Sequence, residues 1–207
     1  MAIKAVVFDI GNVLIEWQPE RFFDAKIGEI RRRELFATID LHEMNDRIDR
    51  GENWQAVVDA TAQEYPEFTA EIQMWHSNWL DMAQPKIGHS VHLLRALRTK
   101  GVTVFALSNF GVETFAYAEK VYPFLTEFDR RFISGHMRMI KPEPAIYAAL
   151  ETETGFAPDQ LLFADDRIDN TNAAAARGWN VHLFEGAAGW ATSLVQHGLL
   201  TKDEAKP

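Results

Sequence analysis

The sequence predicts an α/β fold: a doubly wound, Rossmann-like parallel sheet interrupted near its start by a small α-helical insertion. Three observations lead there. Short apolar runs at 3–8, 102–107, 160–164 and 180–184 lack the polar alternation of a half-exposed strand, as strands buried on both faces do. Helix-patterned stretches separate these runs, which implies right-handed crossovers between parallel strands. Between 17 and 85 no comparable run occurs, and spaced aromatics among glutamate, arginine and alanine take its place.

Taken in order, residues 3–8 (IKAVVF) read as a first strand that stops at a carboxylate, Asp9, with Gly11 expected to let the backbone turn. In the insertion, Phe22, Phe23, Ile27, Ile30, Leu35, Phe36 and Ile39 recur at roughly helical spacing. So do Trp54, Val57, Val58 and Thr61, and then Ile72, Trp75 and Trp79. These predict several short helices in a separate bundle that ends at Pro85 and Gly88. The expected division is a core of 1–16 and 86–207 with a helical domain of 17–85. Val91, Leu94 and Leu97 then form a helical stripe closed by Lys100 and Gly101. Residues 102–107 (VTVFAL) make a second strand that ends at Ser108 and Asn109. A short strand is expected at 131–133 and a helix at 144–154, with proline suited to its first turn. Residues 160–164 form a strand ending at Asp165 and Asp166, 170–177 an alanine-rich helix closed by Gly178, and 180–184 a last strand. Beyond about 186 the pattern is weak, and the tail at 202–207 is expected to be mobile.

Composition narrows the function classes. The chain has 207 residues, 47% hydrophobic and 25% charged, enough for one core domain with an insertion. A net charge of -9 argues against a general nucleic-acid or membrane-surface binder. An anionic substrate stays open, because a bound cation and a few lysines reverse the field locally. Cysteine is absent, which excludes disulfides, a thiol nucleophile and a cysteine metal site. Asp9 interrupts the N-terminal apolar run before it reaches signal-peptide length, and no later run reaches the roughly 20 residues that span a bilayer. The expected setting is the cytoplasm, and the sequence leaves the oligomeric state open.

The chemistry lies at the strand ends. In doubly wound sheets ligands bind beyond the carboxyl ends of the strands. If the sheet is parallel, Asp9, Ser108, Asn109, Asp165 and Asp166 meet at one edge, joined by Lys141 from a following loop. Three clustered carboxylates repel one another unless a cation sits among them. Oxygen donors of this kind suit Mg²⁺ better than zinc.

Four segments carry a resemblance: FDIGNVLIEW at 8–17, LSN at 107–109, KPEPAIY at 141–147 and FADDRIDN at 163–170. In order and spacing they resemble the four motifs of haloacid dehalogenase-like hydrolases, across almost the whole chain. The FDIGNV form, with the KPEP and DD stretches, looks closest to a subgroup containing sugar-phosphate phosphatases such as glucose-1-phosphate phosphatase. The resemblance implies a Mg²⁺-dependent phosphatase acting on a small phosphorylated metabolite, with residues 17–85 as a helical cap. Asp9 would be the nucleophile and pass through an aspartyl-phosphate. Asp166 would be a direct metal ligand, Asp165 a further ligand or one acting through water, and the Gly11 carbonyl an additional ligand. Ser108 and Asn109 would donate to phosphate oxygens, Lys141 would balance charge on phosphate and Asp9, and Asn170 would hydrogen-bond in the outer shell of the metal. One departure stands out: many phosphatases of this family have a second aspartate, the general acid, where this chain has Gly11.

Two rival functions fit parts of the pattern. A metal-free 2-haloacid dehalogenase would use Asp9 to displace halide from carbon, but it gains nothing from the Asp165–Asp166 pair. A phosphoryl-binding module without turnover would carry its acidic pair at the first strand rather than late in the chain. Trp17, Phe22, Phe23, Glu43, Arg47, Trp54 and Trp79 are candidate cap contacts. Arg31, Arg32 and Arg33 read as a solvated helix face, and His89 and His92 lack matching metal ligands nearby. Gly111, Gly135 and Gly178 read as turn or cap glycines.

Overall fold

A computed structural model describes residues 2–207. Five strands form one parallel sheet: β1 (Ala5–Phe8), β2 (Thr103–Ser108), β3 (Arg130–Ile133), β4 (Leu161–Asp165) and β5 (Asn180–Leu183), in the order β3-β2-β1-β4-β5. β1 lies at the centre, with Phe8 in register with Ala106 on one side and Ala164 on the other. The chain winds outward from β1 to β3 and then returns to the far side of β1 for β4. Asp9 and Asp165 therefore emerge from adjacent strands where the winding direction reverses, the place where such sheets bind ligands.

The absence of polar alternation in the strands follows from burial on both faces. Val6, Phe8, Val104, Ala106, Leu162 and Ala164 enter one apolar cluster, whereas Ala5, Val7, Phe105, Leu107, Leu161 and Phe163 enter the other. α7 (Gly88–Thr99) and α12 (Ala187–Gln196) cover the first face. α10 (Pro144–Thr154) and α11 (Ile168–Ala176) cover the second through Ile146, Tyr147, Leu150 and Ala174. α8 (Val112–Val121) and the short α9 (Ser134–Met137) flank β3.

Between β1 and β2 the chain forms α1 (Pro19–Ile27), α2 (Glu29–Thr38), α3 (Leu41–Asp49), α4 (Trp54–Glu64), α5 (Thr69–Ser77) and α6 (Trp79–Met82), with no strand among them. Asp40 caps α3 by accepting from Glu43 N–H, and Asn53 caps α4 by accepting from Ala56 N–H, each worth about 1 kcal/mol. Phe23, Trp75 and Met82 of these helices belong to the same apolar cluster as Val6 and Phe8.

Several expectations change. Arg31, Arg32 and Arg33 are not merely a solvated face: Arg31 bridges α2 to Glu71 of α5 at 2.8 Å and covers Phe68, Arg32 reaches Asp24 of α1, and Arg33 pairs with Glu29. The weak pattern after 186 hides α12, whose Trp190 is fully buried with its ring edge-on to Phe8 at 5.6 Å. The tail expected to be mobile packs on α7: Ala205 is buried, its carbonyl lies 2.9 Å from His89 Nε2, and the Glu204 carbonyl lies 3.0 Å from His92 Nε2. Those two histidines thus hold the C-terminus. Gly11 does not adopt a left-handed backbone; Asn12 does, with φ 54. Gly111 caps the N-terminus of α8 as expected, and Gly111 and Gly135 also serve close approach: a Cβ at Gly111 would lie 2.6 Å from Ile48 Cγ2, and one at Gly135 2.8 Å from Phe110 O. Among the described residues no helix is long and apolar enough to cross a membrane.

Candidate active site

Asp9 follows β1 and is anchored by its backbone, whose N–H donates to Ala164 O at 2.9 Å. Its Oδ1 accepts from Ile10 N–H at 2.7 Å, Ser108 Oγ at 2.6 Å and Lys141 Nζ at 2.9 Å. Among the described residues no donor holds Oδ2. Lys141 Nζ also reaches Asp165 Oδ2 at 2.6 Å, and both side chains are almost wholly buried. Asp9, Asp165 and Asp166 each present a carboxylate oxygen, all within 4.8 Å of one another. The convergence inferred from the strand ends is present.

The partners divide the labour among these residues. Asp165 accepts from Lys141, from Arg167 N–H at 2.8 Å and from Asn170 Nδ2 at 3.0 Å, so both of its oxygens are occupied. It is fully buried and does not line the central cavity, whereas Asp166 does. Gly11 and Asn170 also line that cavity. Asn109 has a role that its sequence position did not suggest. Its Oδ1 accepts from Lys141 N–H at 2.8 Å, and its Nδ2 donates to Lys141 O at 3.0 Å. This two-bond clamp fixes the Lys141 backbone and so aims the buried ammonium.

Electrostatics follow from burial. Removal from water pushes the Asp9 carboxyl up to about 7; Lys141 opposes the rise, and Asp165 and Asp166 add to it. Burial likewise raises Asp166, against the Asn12 hydrogen bond and with the repulsion of Asp165. For Lys141, burial favours the neutral amine, but Asp165 and Asp9 outweigh it and hold the ammonium charged. One ammonium faces three carboxylates, and Asn170 Oδ1 beside them is buried with no hydrogen-bond donor. A hard divalent cation fits this donor set: oxygen ligands only, excess negative charge and an unfilled acceptor. Asp9, Asp166 and Gly11 all line the cavity at this point.

The site opens into a cavity of about 560 Å³. Part of its lining comes from the inserted segment and includes Trp17, Glu20, Asp40, His42, Asp46 and Trp79. Of the candidate cap contacts, Trp17, Glu43 and Trp79 line it; Phe22, Phe23, Arg47 and Trp54 do not. Phe22 and Phe23 are core instead, and Arg47 pairs with Glu52 at 2.6 Å.

Two site residues escaped the sequence reading. Asn12 donates from Nδ2 to Asp166 Oδ2 at 2.9 Å while its Oδ1 accepts from Trp17 N–H at 2.9 Å. Asparagine tolerates the left-handed backbone it adopts there, so the Gly11–Asn12 pair was a usable turn signal. Asp49, in the polar run NDRIDRGE, is only 8% exposed and lines the cavity. Nothing local in the sequence marks it for burial.

Comparison with known proteins agrees with this geometry. A family model described as a haloacid dehalogenase-like hydrolase matches residues 3–178. The sesquiterpene phosphatase astK of Aspergillus oryzae is 25% identical over 192 residues, covering 89% of this chain and 92% of that protein. Among solved structures, the HAD family enzyme bt-2542 of Bacteroides thetaiotaomicron superposes with a TM-score of 0.78 at 22% identity, covering 94% of this chain and 99% of that one. That enzyme has also been crystallised with magnesium and inorganic phosphate. L-2-haloacid dehalogenase of Xanthobacter autotrophicus, with chloropropionic acid covalently bound, shares the fold at a TM-score of 0.61 and 19% identity, covering 99% of this chain and 87% of that one. With its strand-end carboxylates converged and the family match running through all four motifs, the chain belongs to the haloacid dehalogenase-like hydrolases.

Proposed function

We propose that this hydrolase is a Mg²⁺-dependent phosphatase that cleaves a small phosphorylated metabolite through an aspartyl-phosphate on Asp9. The observation that carries the reading is the meeting of Asp9, Asp165 and Asp166 within 4.8 Å, beside a buried lysine. A metal-free dehalogenase site has no use for that excess of negative charge next to an anionic substrate.

Asp9 is held in a single orientation by Ile10 N–H, Ser108 and Lys141, so its carboxylate meets phosphorus without paying for reorientation. Its attack breaks the bond from phosphorus to the ester oxygen, and water then cleaves the aspartyl-phosphate. Mg²⁺, when bound, would supply positive charge to offset the negative charge of the phosphate and the carboxylates. Asp9 and Asp166, which line the cavity, would hold the ion, with the Gly11 carbonyl as a further ligand. Asp165, saturated by Lys141, Asn170 and Arg167 N–H, acts from outside by orienting Lys141. Ser108 and Asn109 donate to the phosphate, Ser108 by turning its hydroxyl from Asp9. Residues 17–85 act as a cap that excludes water and selects the leaving group.

The cap wall favours a hydroxylated leaving group. Glu20, Asp40, Glu43 and Asp46 offer acceptors to hydroxyl protons, and Trp17 and Trp79 offer flat apolar faces. This suits a sugar phosphate better than the isoprenoid named for the Aspergillus relative. The site lies in a chain expected to act in the cytoplasm. Hydrolysis of p-nitrophenyl phosphate is expected to require Mg²⁺, to stop in EDTA and to vanish in Asp9→Asn. A screen of phosphorylated metabolites then ranks substrates, and preference for a nucleotide rejects the sugar phosphate. Chloride release from 2-chloropropionate without metal, in place of phosphate release, would overturn the phosphatase reading.

A further inference from the structure

Gly11 leaves the chain without the acid that many relatives use to protonate the leaving group, yet one buried acid in the cavity has no task so far. The acids lining the cavity away from the carboxylate cluster are Glu16, Glu20, Asp40, Glu43, Asp46 and Asp49, and only Asp49 is buried. It sits in the last turn of α3 and lines the same cavity as Asp9.

Asp49 belongs to the inserted helices but is fixed to the sheet. Its carbonyl accepts from Ser134 Oγ at 2.6 Å, and the same hydroxyl accepts from Phe110 N–H at 2.8 Å, two residues beyond Ser108. Around it the backbones touch: a Cβ at Gly51 would lie 2.5 Å from Gly135 O, and one at Gly111 would strike Ile48. Arg50 pairs with Glu143 at 2.7 Å, and Asn53 donates to Glu113 at 2.7 Å, both across the same seam. Asn45 Nδ2 donates to Asp49 Oδ2 at 2.9 Å, and Asn45 Oδ1 in turn accepts from Trp75 Nε1. The carboxyl is therefore placed as firmly as a residue of the sheet edge, unlike an acid on a mobile lid.

We propose that Asp49 is the general acid and base of this enzyme, protonating the leaving group and then activating the water. This rests on the phosphatase reading. As the bond from phosphorus to the ester oxygen breaks, its electron pair stays on that oxygen, which takes the proton from Asp49. The alcohol leaves, and Asp49 is a carboxylate. It then accepts a proton from the water that attacks phosphorus, the bond to Asp9 breaks, and inorganic phosphate, free Asp9 and protonated Asp49 result. The chemistry needs an acid still protonated near neutrality. Burial pushes Asp49 up to about 8, Asp46 adds to the rise, the Gly111 N–H opposes it, Asp9 adds again and Lys141 opposes. Its place at a helix C-terminus also disfavours the anion.

The test compares p-nitrophenyl phosphate, whose leaving group needs little protonation, with glycerol phosphate, whose alkoxide needs a proton. Asp49→Asn is expected to lower kcat/KM for glycerol phosphate by about 10²–10⁴-fold, at least tenfold more than for p-nitrophenyl phosphate. In the wild-type enzyme kcat/KM for glycerol phosphate falls above about pH 8, and p-nitrophenyl phosphate follows it less. Equal losses on both substrates in Asp49→Asn show a structural role and overturn the proposal. If the variant does not fold, wild-type profiles that are the same for both substrates overturn it instead. Absence of Mg²⁺-dependent p-nitrophenyl phosphate hydrolysis in the wild type overturns the phosphatase reading and this one together.

Discussion

Replacing Lys141 by methionine removes the ammonium that separates Asp9 from Asp165, contacts of 2.9 and 2.6 Å in a fully buried setting. At an effective dielectric near 20 each contact is worth roughly 6 kcal/mol of attraction. Desolvation of the buried ions takes back several kcal/mol apiece, and breaking such a pair leaves uncompensated charge at a net cost of about 3–5 kcal/mol. The loss depends on pH. The Asp9 carboxyl sits at about 7 in the folded protein against 3.8 for the free group. Between those values the folded state binds a proton that the unfolded state lacks, so stability falls as pH rises. Without Lys141 the carboxyl rises further and the falling limb extends to higher pH. The deficit against wild type is thus largest near pH 8 and shrinks toward pH 5, where the protonated Asp9 carboxyl no longer needs the ammonium. Urea unfolding in EDTA, followed by tryptophan fluorescence, measures it directly. Saturating Mg²⁺ should return part of the loss, about 2.7 kcal/mol at a hundredfold excess over Kd. A deficit under about 1 kcal/mol at pH 8, set against the 3–5 expected for a broken buried pair, or one equal at pH 5 and pH 8, refutes the account.

Two glycines of the site region should respond in opposite ways. A Cβ at Gly11 meets nothing within 4 Å, so Gly11→Ala is expected to change stability by no more than about 0.5 kcal/mol. A Cβ at Gly135 lands 2.8 Å from both Phe110 O and Val112 N, and Gly135→Ala should cost about 1–3 kcal/mol or more; similar melting temperatures for the two variants would contradict the close-approach reading. Deleting residues 202–207 removes the buried Ala205 and the carbonyls that meet His89 and His92. Each lost hydrogen bond is worth about 1 kcal/mol, so the truncated chain should unfold at measurably lower urea, and an unchanged midpoint would return the tail to the mobile class.

Much of the catalytic edge was readable because its signals are local. A strand buried on both faces must be apolar throughout, so the polar residues that end it, Asp9, Ser108 and Asp165, mark themselves. Parallel topology then brings those ends together wherever they stand in the chain. Helix α12 was hidden because its small residues (AAGWATSLVQ) form no clear stripe; the partner of Trp190 is Phe8, far away in sequence. The tail looked mobile because its only apolar anchor is a single alanine, and the atoms that hold it are backbone carbonyls, which every sequence possesses.

What the sequence by itself determined is the set of reactive groups and the edge on which they meet, since residue chemistry and strand periodicity both act over a few positions. What only the tertiary structure decided is how those groups are held and which others join them. Asn109 clamps the Lys141 backbone, Asn12 steers Asp166, and Asp49 becomes a buried acid because glycines 51, 111 and 135 let two backbones touch. Burial and hydrogen-bond pairing are properties of surfaces brought together across the fold, and no short stretch of chain encodes them.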